Sequence, residues 1–153
     1  MSLIDGVGGA FIFSDDPKRL ADWYAEHLGI EFEGGEEFGA FYVRYVAADP
    51  DDAAWIMDTT FAIMKAKAPV PRMTVNEGAE PGDMYGDQPF MVNLRVRDLD
   101  AVLAHLAERG VEPLRRDDEG YALFAWIRDG EGNRVELYQP RPEAAPETAA
   151  ENG

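Results

Sequence analysis

The sequence of 153 residues contains no cysteine, which excludes disulfide bonds and thiolate metal sites. It also has no stretch that approaches the roughly 18 to 20 consecutive apolar residues of a membrane-spanning helix. The first five residues, MSLID, lack the basic and then apolar pattern of a signal peptide. From these absences we expect a cytoplasmic protein.

Basic side chains are scarce: 14 Lys and Arg stand against 30 Asp and Glu, for a formal net charge of −16. Binding to nucleic acid relies on Lys and Arg that neutralise phosphates, and binding to anionic membranes also needs positive charge. We therefore expect neither partner. The negative charge keeps a protein soluble and is compatible with a cationic ligand.

A strand–helix–strands pattern occurs twice along the chain. In the first half, an apolar strand precedes Ser-Asp-Asp-Pro, so that Pro17 begins a helix that ends at Gly29. In the second half, a strand precedes Arg97-Asp98, and the following helix ends at Gly110. The two halves overlay with Asp15 on Asp98. Predicted strands cover residues 7–13, 30–34, 38–47, 53–57, 60–67, 89–96, 111–116, 121–128 and 134–139.

This pattern predicts one domain over residues 1–140, made of two similar modules. The first module covers about 5–68 and the second about 90–139. Residues 69–89 hold four prolines and three glycines and form a long connection between them. Residues 140–153 are rich in proline, alanine and acidic residues, which predicts a disordered tail.

Three motifs carry a family resemblance: GGAFIFSDDP in the first half, and NLRVRDLD and FAWIRDGEGNRVEL in the second. With them the sequence resembles the vicinal oxygen chelate superfamily of glyoxalases, bleomycin-resistance proteins and extradiol dioxygenases, over residues 7–139. The resemblance implies an α+β fold of paired βαβββ modules. Their curled mixed sheets would enclose a cleft, with the helices outside, and members of the bleomycin-resistance branch work as dimers.

In metal-using relatives, His and Glu side chains at four strand positions hold the metal. The resemblance places these positions at Gly8, Ile63, Met91 and Glu136. Only Glu136 offers a suitable donor, and a catalytic metal site typically has about three protein ligands. The two histidines, His27 and His105, lie within the predicted helices. We therefore expect no divalent metal and no other cofactor.

Strand alternation predicts which side chains face the cleft. In the second module these are Met91, Asn93, Arg95, Glu136 and Tyr138, joined by Ile63 of the first module. In the first strand, Gly8, Ala10 and Ile12 would face the cleft, with Phe11 and Phe13 beneath the helix. Further apolar lining residues, whose strand phase the pattern leaves open, are Tyr42, Trp55, Met57, Met84, Tyr85 and Trp126.

Glu136 lies in a predicted strand behind the turn DGEGN, whose glycines are typical of positive φ angles. We expect its carboxylate to face Arg95 or Asn93. Three roles remain open at this point: an ion pair with Arg95 that braces the cleft wall, a contact with a ligand, or general acid–base catalysis.

These observations predict a metal-independent protein that binds a small organic molecule, and we expect a homodimer. The alternative is an enzyme of this superfamily, a lyase, isomerase or dioxygenase, which would use a metal only if the ligand positions are misaligned. A third possibility is an interaction protein that recruits partners through its connection and tail. Pairing of modules within one chain and swapping between two chains both remain open.

Overall fold

The computed structural model describes residues 2–70, 84–86 and 88–141. Most of the predicted connection 69–89 and nearly all of the predicted tail 140–153 lie outside the described residues. The elements in chain order are β1 (Gly9–Ser14), α1 (Pro17–Leu28), β2 (Glu33–Gly35), β3 (Ala40–Ala48), β4 (Ile56–Lys65), β5 (Val92–Arg95), α2 (Leu99–Ala107), β6 (Arg115–Asp118), β7 (Ala122–Arg128) and β8 (Arg134–Pro140).

The chain divides into two compact units. The first unit comprises Met1–Glu80 with Asp129–Asn133, and the second comprises Pro81–Arg128 with Arg134–Gly153. Each unit has a four-stranded mixed sheet of the same topology, in the order β1-β4-β3-β2 and β5-β8-β7-β6. In each sheet the strand before the helix pairs in parallel with the last strand, and the other pairs are antiparallel. This confirms the predicted repeat and the α+β fold.

The first helix begins and ends at the residues that the sequence indicates. Pro17 occupies its first turn, and Gly29 ends it in the left-handed conformation with a φ of 66°. On its inner face Leu20, Ala21 and Tyr24 are buried, and the ring of Tyr24 meets that of Phe61 on β4 edge-on at 5.4 Å. The side of the sheet that carries Phe61 is therefore the side that α1 covers.

The predicted phase of β1 is wrong. Ala10 pairs with Phe61 and Ile12 with Ile63, so both lie on the side that α1 covers. Phe11 and Phe13 lie on the opposite side of the sheet and are 59% and 53% exposed. Ile63 is fully buried on the helix side, so it does not line an open cleft.

The predicted phase is wrong because the overlay of the two halves of the sequence, with Asp15 on Asp98, is shifted by one residue. The N-cap of α1 is Asp16, whose carboxylate accepts a hydrogen bond from the backbone N–H of Arg19, and not Asp15. The N-cap of α2 is Asp98. Since side chains alternate along a strand, a shift of one residue moves every side chain to the other face. Counted from the two caps, Phe11 corresponds to Asn93, and its partner Ala62 corresponds to Glu136.

The second unit has its apolar core beneath α2, which packs against β7 and β8. Leu99 and Leu106 of the helix are fully buried. The strand residues buried with them alternate along β7 and β8, namely Ala125, Ile127, Val135 and Leu137. The intervening residues of these strands therefore lie on the other face, where the candidate site is found. Within the described part of the chain, neither helix is long and apolar enough to cross a membrane.

Candidate functional site

Glu136 occupies the middle of β8, between Asn93 of β5 and Trp126 of β7 in the sheet register. Its neighbours in sequence, Val135 and Leu137, belong to the core beneath α2. Alternation therefore places the carboxylate on the opposite face, as the sequence predicts. Glu136 is only 6% exposed, so its charged group needs partners within the protein.

Two neutral donors hold the carboxylate. Asn93 Nδ2 donates a hydrogen bond to Oε1 over 2.6 Å, and the hydroxyl of Tyr85 donates to Oε2. Arg95 lies opposite Tyr138 instead, two residues further along β5. No basic side chain forms an ion pair with Glu136 within the described ranges. Of the two partners expected for Glu136, Asn93 rather than Arg95 is the one in contact, because the parallel register gives the neighbouring position to Asn93.

The phenol of Tyr85 is a hydrogen-bond donor at neutral pH. Partial burial, followed by the hydrogen bond and the charge of Glu136, raises the pKa of Tyr85 to about 12. The sequence predicts Tyr85 only as a possible apolar lining residue. Its contact with Glu136 joins positions 51 residues apart, which strand alternation does not reveal.

Aromatic rings cover the same face of β7 and β8. Phe124 stacks with Trp126 at 6.1 Å between ring centroids and with Tyr138 at 5.4 Å. We call the stacked rings of Phe124, Trp126 and Tyr138 the aromatic floor. Tyr85 approaches Trp126 edge-on at 5.8 Å, and Tyr121 approaches Phe124 in the same way at 5.9 Å. The stacked rings thus form a flat floor, and the rings of Tyr85 and Tyr121 stand steeply against it. This arrangement suits a flat apolar ligand.

A cavity of about 300 Å³ opens beside this floor, within the second unit. It is lined by Met84, Tyr85, Arg115, Asp117, Glu119, Tyr121, Phe124 and Trp126. Arg115 pairs with Asp117 through two contacts, from Nε over 2.8 Å and from Nη2 over 2.6 Å. The cavity therefore combines an aromatic floor with a polar rim, as small-molecule sites do.

The structure brings together some predicted site residues and separates others. Asn93, Glu136 and Tyr138 share the face of the cavity, and Met91 packs against its apolar cluster of Met84, Ala122, Phe124 and Trp126. Arg95 is exposed. In the first unit, Tyr42 lies opposite Ala62, on the face that carries Phe11, and Trp55 and Met57 are exposed beside the start of β4.

Sequence reasoning missed Phe124, Tyr121 and the Arg115–Asp117 pair. Phe124 could have been found from alternation along β7, because it lies two residues before Trp126 and therefore shares its face. Arg115 and Asp117 then follow, since β6 pairs them with Trp126 and Phe124. The register between β6 and β7 is set by the tertiary structure, and the sequence does not indicate it.

The donor set near Glu136 does not resemble that of a divalent metal site. Its neighbours in the register are an amide and an indole, and its second oxygen accepts from a phenol. Across the residues that the structure describes, no group of three or more His, Asp or Glu side chains could hold a metal ion. His27 is in α1, where Nδ1 lies 2.9 Å from the carbonyl oxygen of Trp23, and His105 is in α2.

The turn between β7 and β8 belongs to the first unit and has a structural role. Gly132 has a φ of 86°, as predicted, whereas Gly130 does not have a positive φ. Gly130 is needed for close approach: a Cβ there would lie 2.7 Å from Cγ of Trp23. Glu131 accepts a hydrogen bond from the buried hydroxyl of Ser14, which fastens the turn to β1.

Comparison with known proteins identifies the fold. A family model described as a glyoxalase-like domain matches residues 10–138. A glyoxalase family protein from Bacillus anthracis is 14% identical with a TM-score of 0.62, over 92% of this chain and 99% of its own. Lactoylglutathione lyase from Agrobacterium tumefaciens is 12% identical with a TM-score of 0.58, over 90% and 96%.

TnmS3, an antibiotic-binding protein from Streptomyces sp. CB03234, is 24% identical with a TM-score of 0.55, over 92% of this chain and all of its own. None of the curated proteins compared with the chain matches it. At these identities the solved structures show a shared fold and nothing about a ligand. The family model covers most of the chain, so the chain belongs to the glyoxalase-like domain family.

Proposed function

We propose that this protein binds a small organic molecule in the aromatic cavity of the second unit, without a metal ion. The observation that carries the proposal is the aromatic floor of Phe124 and Trp126 beside a carboxylate that neutral donors already hold. The floor supplies apolar contact area, and rings that stack or meet edge-on add about 0.5 to 1.5 kcal/mol per pair. The rim of the cavity supplies polar groups that fix the orientation of a ligand.

The volume of the cavity limits the size of the ligand. At about 300 Å³ it lies at the lower end of the range of roughly 300 to 1,000 Å³ that is typical of small-molecule sites. A flat molecule of a few fused rings suits this space better than a peptide or a long chain. TnmS3 is named as an antibiotic-binding protein, which supports a binding function for a member of this fold. Lactoylglutathione lyase is named as an enzyme, so the fold alone does not decide between the two.

A screen of small aromatic compounds by thermal shift tests the proposal, because a ligand that binds the native state raises its melting temperature. Tyr121→Ala removes a mostly exposed ring from the cavity wall and should weaken binding of any hit. Tyr45→Ala removes a comparably exposed ring from β3 in the first unit and should leave binding unchanged. Equal loss in both variants would place the site elsewhere.

Metal independence needs its own test. The protein is purified after growth with zinc, iron, nickel and manganese, and its metal content is measured. We expect no stoichiometric metal, because Glu136 has an amide and a phenol beside it rather than further ligands. A metal bound one to one in the wild type and lost in Glu136→Ala would refute this part of the proposal.

The buried carboxylate of Glu136, on the face that carries Trp126, raises one alternative, an enzyme that removes a proton from its bound ligand. Glu136 would take the proton from a carbon of the ligand and return it to the same carbon or a neighbouring one. A ligand found in the screen, incubated with the protein in D₂O, would then exchange hydrogen for deuterium, and Glu136→Gln would abolish the exchange. Binding without exchange supports the binding protein.

A further inference from the structure

Trp126 has a buried hydrogen-bond donor that nothing in the described structure accepts. The residue is 3% exposed, and its indole Nε1 forms no hydrogen bond with any described residue. An indole N–H can only donate, and a buried donor without an acceptor costs free energy. Buried tryptophans usually find a partner, so this one calls for an explanation.

The surroundings of Trp126 explain why no residue in the described part of the chain accepts from its indole N–H. The side chains that pack around it are a thioether and aromatic rings, from Met84, Phe124 and Tyr85. Glu136 is its neighbour in the register, but Asn93 and Tyr85 already donate to the two carboxylate oxygens. The donor therefore belongs to a residue that lines the cavity, and the carboxylate beside it in the sheet register is engaged elsewhere.

We infer that the ligand of this cavity is a flat aromatic molecule with a carbonyl oxygen, and that the indole N–H of Trp126 binds that oxygen. The inference rests on the proposed function and adds the class of ligand to it. A neutral acceptor fits better than an anionic one, because Arg115 is paired with Asp117 and the carboxylates of Glu119 and Glu136 add further negative charge at this site. The rings of Phe124 and Trp126 provide the surface for the flat part of the molecule.

Tyr85 is a second candidate partner of the indole, because its ring meets that of Trp126 edge-on at 5.8 Å between centroids. The competing explanation is that the π face of Tyr85 satisfies the indole N–H, which is a weak interaction. In that case a carbonyl oxygen on the ligand would bring no advantage, and the experiment below separates the two.

The test uses two probes of nearly equal shape, fluorenone, which has a carbonyl oxygen, and fluorene, which has none. Affinities of both are measured for the full chain and for Trp126→Phe, which keeps a flat ring but removes the donor. We expect the wild type to prefer fluorenone by about tenfold, and the variant to bind both probes alike, because one hydrogen bond to a buried donor distinguishes them.

A second measurement keeps Trp126 in place and covers the case in which Trp126→Phe does not fold. The chain has three tryptophans, so nitrogen-15 labelling gives three indole N–H resonances. Variants Trp23→Phe and Trp55→Phe identify two of them, and the third belongs to Trp126. Fluorenone should move that resonance in the direction of hydrogen-bond formation, whereas fluorene should not.

The outcomes separate the inference from the function on which it rests. Equal binding of fluorenone and fluorene to the wild type, or an unchanged Trp126 resonance with fluorenone bound, overturns the inference and leaves binding at the cavity intact. If neither probe binds and the wider screen of aromatic compounds also gives no hit, the proposed function falls together with the inference.

Discussion

The hydroxyl of Tyr24 on α1 donates a hydrogen bond to Oδ2 of Asp129 over 2.8 Å, and so fastens the first helix to the turn between β7 and β8. Asp129 is buried and also accepts from the backbone N–H groups of Glu131 and Asn133 and from the side-chain amide of Asn133, each over 2.9 Å. Burial, and then the charge of Asp129, raises the pKa of Tyr24 well above its ordinary value. The acidic turn is therefore a structural element of the first unit.

Replacing Tyr24 by Phe should lower the free energy of unfolding by about 1 to 3 kcal/mol, because it leaves a buried carboxylate one donor short. Urea unfolding followed by circular dichroism measures the loss. Tyr45→Phe is the matched control, since its ring is half exposed and the change should stay within about 0.5 kcal/mol. Equal losses in the two variants would mean that the bond to Asp129 contributes nothing.

Gly130 provides a second test of this contact between helix and turn. A methyl group at this position would lie 2.7 Å from Cγ and 2.8 Å from Cδ1 of Trp23, so the indole must move. We expect Gly130→Ala to cost about 1 to 3 kcal/mol in unfolding free energy, as overpacking does, and to change the tryptophan fluorescence. Gly8→Ala is the control because a methyl group there meets nothing within 4 Å. A stability loss in the control as large as that in Gly130→Ala would exclude the steric explanation.

Much of the fold could be predicted from local signals, because those signals are physically strong. Pro17 and Gly29 mark the ends of α1, and apolar periodicity marks the strands. The duplication of the whole pattern gives the two units. In the site, strand alternation correctly predicts that Asn93 and Glu136 share one face. Each has an apolar residue on either side in its own strand, and those apolar neighbours belong on the face that packs against the helix.

The rest could not be predicted because it depends on choices between equivalent residues or on distant contacts. Asp15 and Asp16 are chemically identical candidates for the helix cap, and only the hydrogen bond to Arg19 decides between them. The wrong choice inverted the faces of β1 in the prediction. Tyr85 reaches Glu136 from a segment without a regular pattern, so its role appears only in three dimensions.

The choice of cap leads to a third prediction. Asp16→Ala should lower the free energy of unfolding by about 1 kcal/mol, because the backbone N–H of Arg19 loses its acceptor at the start of α1. Asp15→Ala should have an effect within about 0.5 kcal/mol, since its exposed carboxylate accepts only a long bond of 3.3 Å from Val70 N. Urea unfolding of both variants gives the comparison. A larger stability loss in Asp15→Ala than in Asp16→Ala would mean that Asp15 is the helix cap. That result would support the overlay of Asp15 on Asp98 and the faces of β1 predicted from it.

The last prediction concerns the pKa of Tyr85, which partial burial and Glu136 raise from the ordinary value of 10.0 to about 12. Glu136→Gln removes the carboxylate charge and keeps the shape of the side chain, so the pKa of Tyr85 should fall towards 10 but remain above it, because the burial persists. The absorbance of tyrosinate, recorded against pH in the wild type and in Tyr85→Phe, isolates the titration of this one phenol among the six. The same pair of titrations in the Glu136→Gln background gives the shifted value.

The sign of the linked stability follows from the direction of the shift. Since the folded protein holds the Tyr85 proton more tightly than the unfolded chain, the stabilisation is complete below pH 10 and is lost as the pH rises towards 12. The difference in unfolding free energy between wild type and Tyr85→Phe should therefore shrink over that range. In Glu136→Gln the loss should begin at the same pH, which the unfolded chain sets, but end at a lower pH. Glu112→Gln, at an exposed carboxylate after α2, should leave the profile unchanged. An unaltered Tyr85 titration in Glu136→Gln would show that the two side chains are not in contact in solution.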